Sequence, residues 1–246
     1  KKVLWVLASG IWACMRWSSA PAMYCAKGVC SSKASRFVQK VEVVGHSVLG
    51  TQLCKGKVLQ IAGPPDDNEV MVDPAGLPYV SGARPPSQAG AASGAIYAWL
   101  GIQDAFPSAV QSAITQATDA KYHAYGPGKH VIHVVGPDFR QRDYTVTEAE
   151  LELSVAYHNV FAEVTASQKL RVRLLPISSG VFAAKFLPVM PALTFQAMAL
   201  AFDRLTPQMQ ETLMDLEQVK LCVFIDKELP LFDEAQRQYS GEQGEA

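Results

Sequence analysis

The sequence has no uninterrupted apolar run long enough to cross a bilayer, no catalytic signature string and no metal-binding cysteine pattern. Its longest apolar stretch, Val3–Met15, has thirteen residues, against the roughly 20 that a membrane-spanning helix needs. No G-x-S-x-G, G-x-x-x-x-G-K-S/T or H-E-x-x-H string occurs, which removes the best-marked hydrolase, P-loop and zinc-protease readings. The five cysteines (Cys14, Cys25, Cys30, Cys54, Cys222) are odd in number. They lack the doubled short spacing of a zinc site, so no metal is expected. Reduced thiols fit an intracellular location or an organellar, for example mitochondrial, interior. No internal repeat is visible, and no composition shift marks a second folded domain.

Acidic residues are nearly missing from one end. Residues 1–57 hold nine Lys/Arg and a single acid, Glu42, so the remaining residues carry a net charge of −9 although the whole chain is at −1. A basic, apolar N-terminus on an acidic body suits an arm that meets a protein partner, a membrane interface or RNA; a leftover targeting segment reads the same way. Trp5, Trp12 and Trp17 give this arm large apolar groups that call for a covering surface. The division expected is an arm over 1–35, a folded domain over 36–238 and a polar tail over 239–246. With 49% hydrophobic and 18% charged residues, the middle part has an ordinary globular mix.

What is present is a series of short apolar runs that end in turn residues. A strand is expected over Phe37–Val44, continuing through Val48–Leu53 and Lys57–Ala62, then a turn at Gly63–Asn68 and a strand at Glu69–Asp73. Residues 74–93 contain four prolines and three glycines and read as an irregular loop, long enough to be functional or held by a partner. A helix starts at Gly94, with Phe106, Val110 and Ile114 at helical spacing. Strands follow at Tyr122–Tyr125 and Val131–Val135, a helix over 147–166, a strand at Val172–Ile177, a buried helix over Leu187–Phe202 and a last strand at Val219–Ile225. Strand, loop, helix, strand is the order of a parallel sheet whose loops cradle an anion at the strand C-termini.

Two of these runs carry a resemblance. Val131–Phe139 reads VIHVVGPDF, and Pro176–Phe182 reads PISSGVF. The pair resembles the macrodomain family, whose members typically carry a VIHAVGP-like strand and a later PLISTGIFG-like strand and loop, and which bind ADP-ribose and related nucleotides. The resemblance implies an α/β/α three-layer sandwich with a mixed, mostly parallel central sheet over about residues 36–238. It also implies candidate ligand positions. Ser178, Ser179, Gly180, Val181 and Phe182 match the family's diphosphate loop. Gly90 and Gly94 echo its glycine-rich loop before a helix. Asp73, in Val72-Asp73-Pro74-Ala75-Gly76, stands where the family has Val-Asn-Ala-Ala-Asn. The two asparagines are replaced by Asp73 and Gly76, and Lys57 in Gly56-Lys57-Val58 is matched to the family's adenine-reading aspartate. A lysine only donates hydrogen bonds, so the usual adenine contact is lost.

Each candidate has a plain structural alternative: Asp73 as the cap of the turn at Pro74, the glycine pair as turn chemistry, His133 as a satisfied core residue. Three functions stay open. The first is a degenerate, non-catalytic macrodomain that is a structural or accessory subunit of a larger assembly, with partners on residues 1–35 and the 74–93 loop. The second is an ADP-ribose or nucleotide reader, or a weak ADP-ribosyl hydrolase. The third is an RNA-binding accessory protein. No cofactor is expected apart from ADP-ribose or another nucleotide.

Overall fold

A computed structural model describes residues 30–242; most of the 1–35 arm and the end of the polar tail lie outside the described residues. The elements in chain order are α1 (Ser32–Lys40), β1 (Val41–Val44), β2 (Thr51–Cys54), β3 (Lys57–Gln60), β4 (Glu69–Pro74), α2 (Leu77–Val80), α3 (Ala91–Leu100), α4 (Ser108–Ala113), β5 (Ala120–Ala124), β6 (His130–Val134), α5 (Val146–Ser167), β7 (Arg171–Leu174), α6 (Met190–Asp203), α7 (Pro207–Asp215), β8 (Gln218–Cys222) and α8 (Leu229–Glu242). The main sheet runs β1-β8-β7-β4-β6-β5. All its pairings are parallel except the edge strand β5, which lies antiparallel to β6. β2 and β3 form a separate antiparallel hairpin.

The register sorts the sheet residues onto two unlike faces, because side chains alternate along each strand. One face is apolar throughout: Val70 and Val72 of β4 align with Ile132 of β6, Val172 and Leu174 of β7, and Val219 and Leu221 of β8. The α1, α5, α6 and α8 layer covers it, with Phe37 stacked on Phe202 at 4.7 Å and edge-on to Phe161 at 5.2 Å. The other face carries Glu69, Asp73, His133 and Arg173, all buried, and is covered by α3, α4 and the hairpin region. Arg173 grips Glu69 with two hydrogen bonds of 3.0 and 2.7 Å. Its third nitrogen donates to the carbonyls of Val48 (3.1 Å) and Gly63 (2.9 Å), fastening the hairpin to the sheet. Such a buried bidentate pair is tolerable because all three nitrogens of the guanidinium are engaged.

The strands and helices differ from the sequence expectation in definite places. Phe37 lies in a helix: Ser31 caps α1 by accepting from the Ala34 amide at 3.1 Å, and Ala34, Phe37 and Val38 form its buried stripe. Residues 31–35, assigned to the arm, are thus part of the folded body. The 74–93 segment is not an unbroken irregular loop; it holds α2 and a 3-10 turn at Pro86–Gln88. The helix foreseen from Gly94 through Ile114 is two. α3 begins earlier, at Ala91, and stops at Gly101, whose φ of +82° favours a residue without Cβ; the chain restarts at α4 after Pro107. α6 starts at Met190 and not Leu187, because residues 184–189 form a 3-10 stretch containing Pro188. α7 and α8 were not anticipated, and α8 runs through Ser240 to Glu242 where fraying was expected.

Candidate functional site

In an open parallel sheet, ligands sit outside the strand C-termini where the winding direction reverses. Here that point is β4, with β6 on one side and β7 on the other. Three exits therefore frame the crevice: Asp73–Gly76 from β4, Val135–Phe139 from β6, and Leu175–Phe182 from β7.

The β6 and β7 exits are zipped together. Ser178 adopts φ +60° and its hydroxyl donates to the Pro137 carbonyl at 2.7 Å, while the Phe139 amide donates to the Phe182 carbonyl at 3.0 Å. Gly136 makes this closeness possible, since a Cβ there would sit 2.5 Å from Ser178 Oγ and 2.6 Å from Ile177 Cγ2. Ser178 is buried, but Gly180 and Val181 are exposed, Val181 at 71%. Their amides donate to no group among the described residues, whereas the Ser179 amide reaches back to the Pro176 carbonyl. Phe182 is half-buried under the Arg140 guanidinium, 4.8 Å from its ring centre. Arg140 is held by Asp138 through contacts of 2.8 and 2.7 Å. Nothing in the spacing of the sequence marked Arg140 as part of this corner.

Gly90 and Gly94 open α3 at the β4 exit, tied down where Ser93 Oγ donates to the Pro74 carbonyl at 3.0 Å. They differ in role. A Cβ at Gly94 would overlap the Ala89 carbonyl oxygen, so this glycine serves chain packing; at Gly90 nothing lies within 4 Å, and the space is open.

Asp73 is fully buried, as is His133 beside it on β6. Asp73 Oδ2 meets His133 Nδ1 at 2.7 Å, and His133 Nε2 meets the Tyr125 hydroxyl at 2.8 Å. Asp73 Oδ1 has no hydrogen-bond partner among the described residues. Tyr97 and Phe106 enclose the imidazole, Phe106 edge-on at 5.0 Å. Burial first, and then the Asp73 carboxylate, hold the phenols of Tyr97 and Tyr125 well above the usual tyrosine range. Burial lowers His123, which packs edge-on to Tyr125. The chain Asp73–His133–Tyr125 thus joins three residues far apart in sequence into one water-poor polar chain. His133 is a core histidine satisfied at both nitrogens, and Asp73 turns inward to it in preference to the crevice.

Gly56-Lys57-Val58 lies elsewhere. Lys55 and Gly56 are the hairpin turn, and Lys57 opens the exposed strand β3. The glycine that leaves β1 towards the rim is Gly45, followed by buried His46, whose Nδ1 lies 2.8 Å from the Ser47 carbonyl. A groove of about 470 Å³ is lined by Leu49, Thr51, Ile61, Pro64 and Trp99, not by the 178–182 loop. Among the described residues no group of three or more His, Cys, Asp or Glu converges as metal ligands.

No family model matches the sequence, and no curated protein does. Solved structures do. The Oceanobacillus iheyensis macrodomain with ADP superposes with a TM-score of 0.51 at 19% identity, over 72% of this chain and 89% of that one. Two mutants of the same macrodomain each give 0.52 at 17% identity, covering 72% and 78% of this chain and 88% and 93% of theirs. With the mixed sheet, its helical layers and its β4 switch point, this likeness establishes that the chain has a macrodomain-like α/β/α fold.

Proposed function

We propose that this protein is a non-catalytic, macrodomain-like accessory subunit of a larger assembly. The observation that carries the reading is Asp73. It is the acid that leaves the central strand at the switch point, and it is buried against His133 with no surface left to orient a ribose or a water. Asp138, the acid past the β6 exit, is likewise engaged by Arg140. Losing such positioning groups typically costs about 10²-fold or more in rate. Partner subunits would meet the exposed 81–84 stretch, the N-terminal arm, and apolar residues such as Leu187, which is 52% exposed.

A second reading has its own support. The free amides of Gly180 and Val181, and the uncapped N-terminus of α3 at Gly90, are donors of the kind that hold phosphate. The solved macrodomain named above contains ADP. A nucleotide diphosphate could rest on these amides without any of the missing side chains.

Calorimetric titration with ADP-ribose, paired with turnover of a mono-ADP-ribosylated substrate, separates the readings. The accessory-subunit reading expects neither heat at low micromolar concentration nor turnover. Heat without turnover selects the nucleotide reader. Turnover at rates like those of an active macrodomain hydrolase overturns both.

A further inference from the structure

Arg140 is held more firmly than an exposed arginine needs to be. Its Nε and Nη2 donate to the two oxygens of Asp138 at 2.8 and 2.7 Å, and its own amide donates to Asp138 Oδ1 at 3.1 Å. On its other side the guanidinium lies 4.8 Å from the centre of the Phe182 ring. One side chain is thus fixed both to the turn after β6 and to the loop after β7, the two exits that the Ser178–Pro137 and Phe139–Phe182 hydrogen bonds draw together. A long side chain loses much rotamer freedom when it is fixed in this way. An ion pair whose arginine is 48% exposed returns little stability in exchange.

The pair leaves a defined part of the fork open. A guanidinium carries its N–H groups in one plane. Asp138 takes one from Nε and one from Nη2, so the end made by Nη1 and the second Nη2 hydrogen has no partner among the described residues. Neighbouring Arg142 differs: both its Nη groups are taken by Glu148 and Glu152, and its guanidinium lies over Tyr144. On the Phe182 side of Arg140 lie successive backbone donors. The amides of Gly180, Val181 and Phe182 donate to no group among the described residues. Their turn is closed by the Ala183 amide, which donates to the Gly180 carbonyl at 3.0 Å. Consecutive free amides suit an oxyanion, and the planar fork of arginine suits one better than a point charge does.

We propose that Arg140 is the specificity-determining side chain of this corner: its open end receives an oxygen of the phosphate that rests on the 180–182 amides, while Asp138 and Phe182 act as positioning residues. The inference rests on the nucleotide reading above and adds to it the side chain that reads the phosphate. Holding the fork in place before the ligand arrives removes an ordering cost from binding. The Asp138 carboxylate does not face the ligand, because both its oxygens are turned onto the Nε side of the guanidinium. A phosphate bound here meets a full positive charge as well as amide dipoles. The corner therefore favours a nucleoside diphosphate over the uncharged nucleoside, and its affinity falls as ionic strength rises.

The test is calorimetric titration of the full chain with ADP at low and at moderate salt, with amide resonances of Gly180, Val181 and Phe182 recorded alongside. In the parent chain ADP shifts these resonances, and binding weakens as salt rises. Arg140→Gln should bind ADP about tenfold or more weakly, the worth of one charge-assisted hydrogen bond. It should also lose most of the salt dependence while keeping the thermal melt of the parent. Arg140→Lys keeps the charge but cannot hold Asp138 and meet the phosphate at once, so its affinity should stay closer to the glutamine variant than to the parent. Equal ADP binding by the parent and Arg140→Gln overturns the role of Arg140 alone and leaves the nucleotide reading standing. Full recovery in Arg140→Lys overturns it too, since a point charge would then be enough, as does binding that leaves the loop amides unmoved. A parent chain that binds no ADP overturns the nucleotide reading and this assignment together.

Discussion

Replacing Asp73 by alanine tests whether this position is structural or reads a ligand. The carboxylate is fully buried and holds His133 Nδ1 at 2.7 Å, while the far side of the ring is held by Tyr125 at 2.8 Å. Removing one partner leaves the other's buried polar group without its hydrogen bond, which typically costs about 1–3 kcal/mol. Against a total stability of about 5–15 kcal/mol, this is a large share. With a urea m-value of about 1–3 kcal/mol/M, the midpoint should fall by roughly 0.3–3 M, with the slope unchanged. Asp73→Asn keeps the shape and one acceptor, so its loss should be smaller than that of the alanine variant. Urea unfolding followed by circular dichroism measures both. Any affinity for ADP-ribose should be unaffected at concentrations where the variant is folded. The reasoning fails if Asp73→Ala unfolds within about 0.5 kcal/mol of the parent, the range of an ordinary surface change, or if it stays stable and loses nucleotide binding. The first result would remove the structural role of Asp73, and the second would make it a ligand contact.

Other outcomes follow from the packing. Gly136→Ala would push a methyl into Ser178 Oγ and Ile177 Cγ2; overpacking of this kind costs about 1–3 kcal/mol, and thermal unfolding should show it, together with any loss of anion binding on the 178–182 loop. The Cys222 thiol is pushed up to about 12 by burial, so iodoacetamide at pH 8 should leave it unmodified in the folded protein and label it after unfolding. The same displacement carries a sign. The unfolded thiol ionises near the ordinary thiol value of about 9 while the folded one stays protonated, so stability should fall as pH rises from about 9 towards 12; a flat profile there would contradict it. Deleting residues 1–29 should leave a cooperative melt, whereas deleting 1–35 removes the Ser31 cap, its hydrogen bonds to Asp203 and buried Ala34. That longer truncation should be less stable by at least about 1 kcal/mol, and equal stability of the two would place α1 outside the core.

The parts legible in the sequence were those whose signal is local. β6 and β7 are largely buried and rich in valine, isoleucine and leucine, and their exits carry the Gly-Pro and Ser-Ser-Gly turns that stop them. Phe37 was misread because α1 runs into β1 with no glycine between them. The helical stripe Ala34, Phe37, Val38 joins the valines of Val41–Val44 into one apparent strand. The single helix over 94–114 came from true helical spacing at Val110, interrupted by a break at Gly101 that periodicity does not weigh. The site was less legible still. Asp73 meets His133 across 60 positions and Arg173 meets Glu69 across 104, and no short spacing encodes either pair. Only strand order brings them together, and with it the difference between an acid that faces a ligand and one that faces the core.

The place of β8 in the sheet also bears on how the protein is made. β1 pairs with β8 and with no other strand, and Val41 aligns with Val219, roughly 180 residues later in the chain. At a synthesis rate of about 5–20 residues per second, β1 leaves the ribosome some 10–40 s before its neighbour exists. β1 presents a bare strand edge through that interval, and the outer side of β7 does so for roughly its last 2–9 s. A nascent chain halted before Gln218 would therefore display two unpaired edges, and its release from aggregation-prone states waits on the last strand to be synthesised.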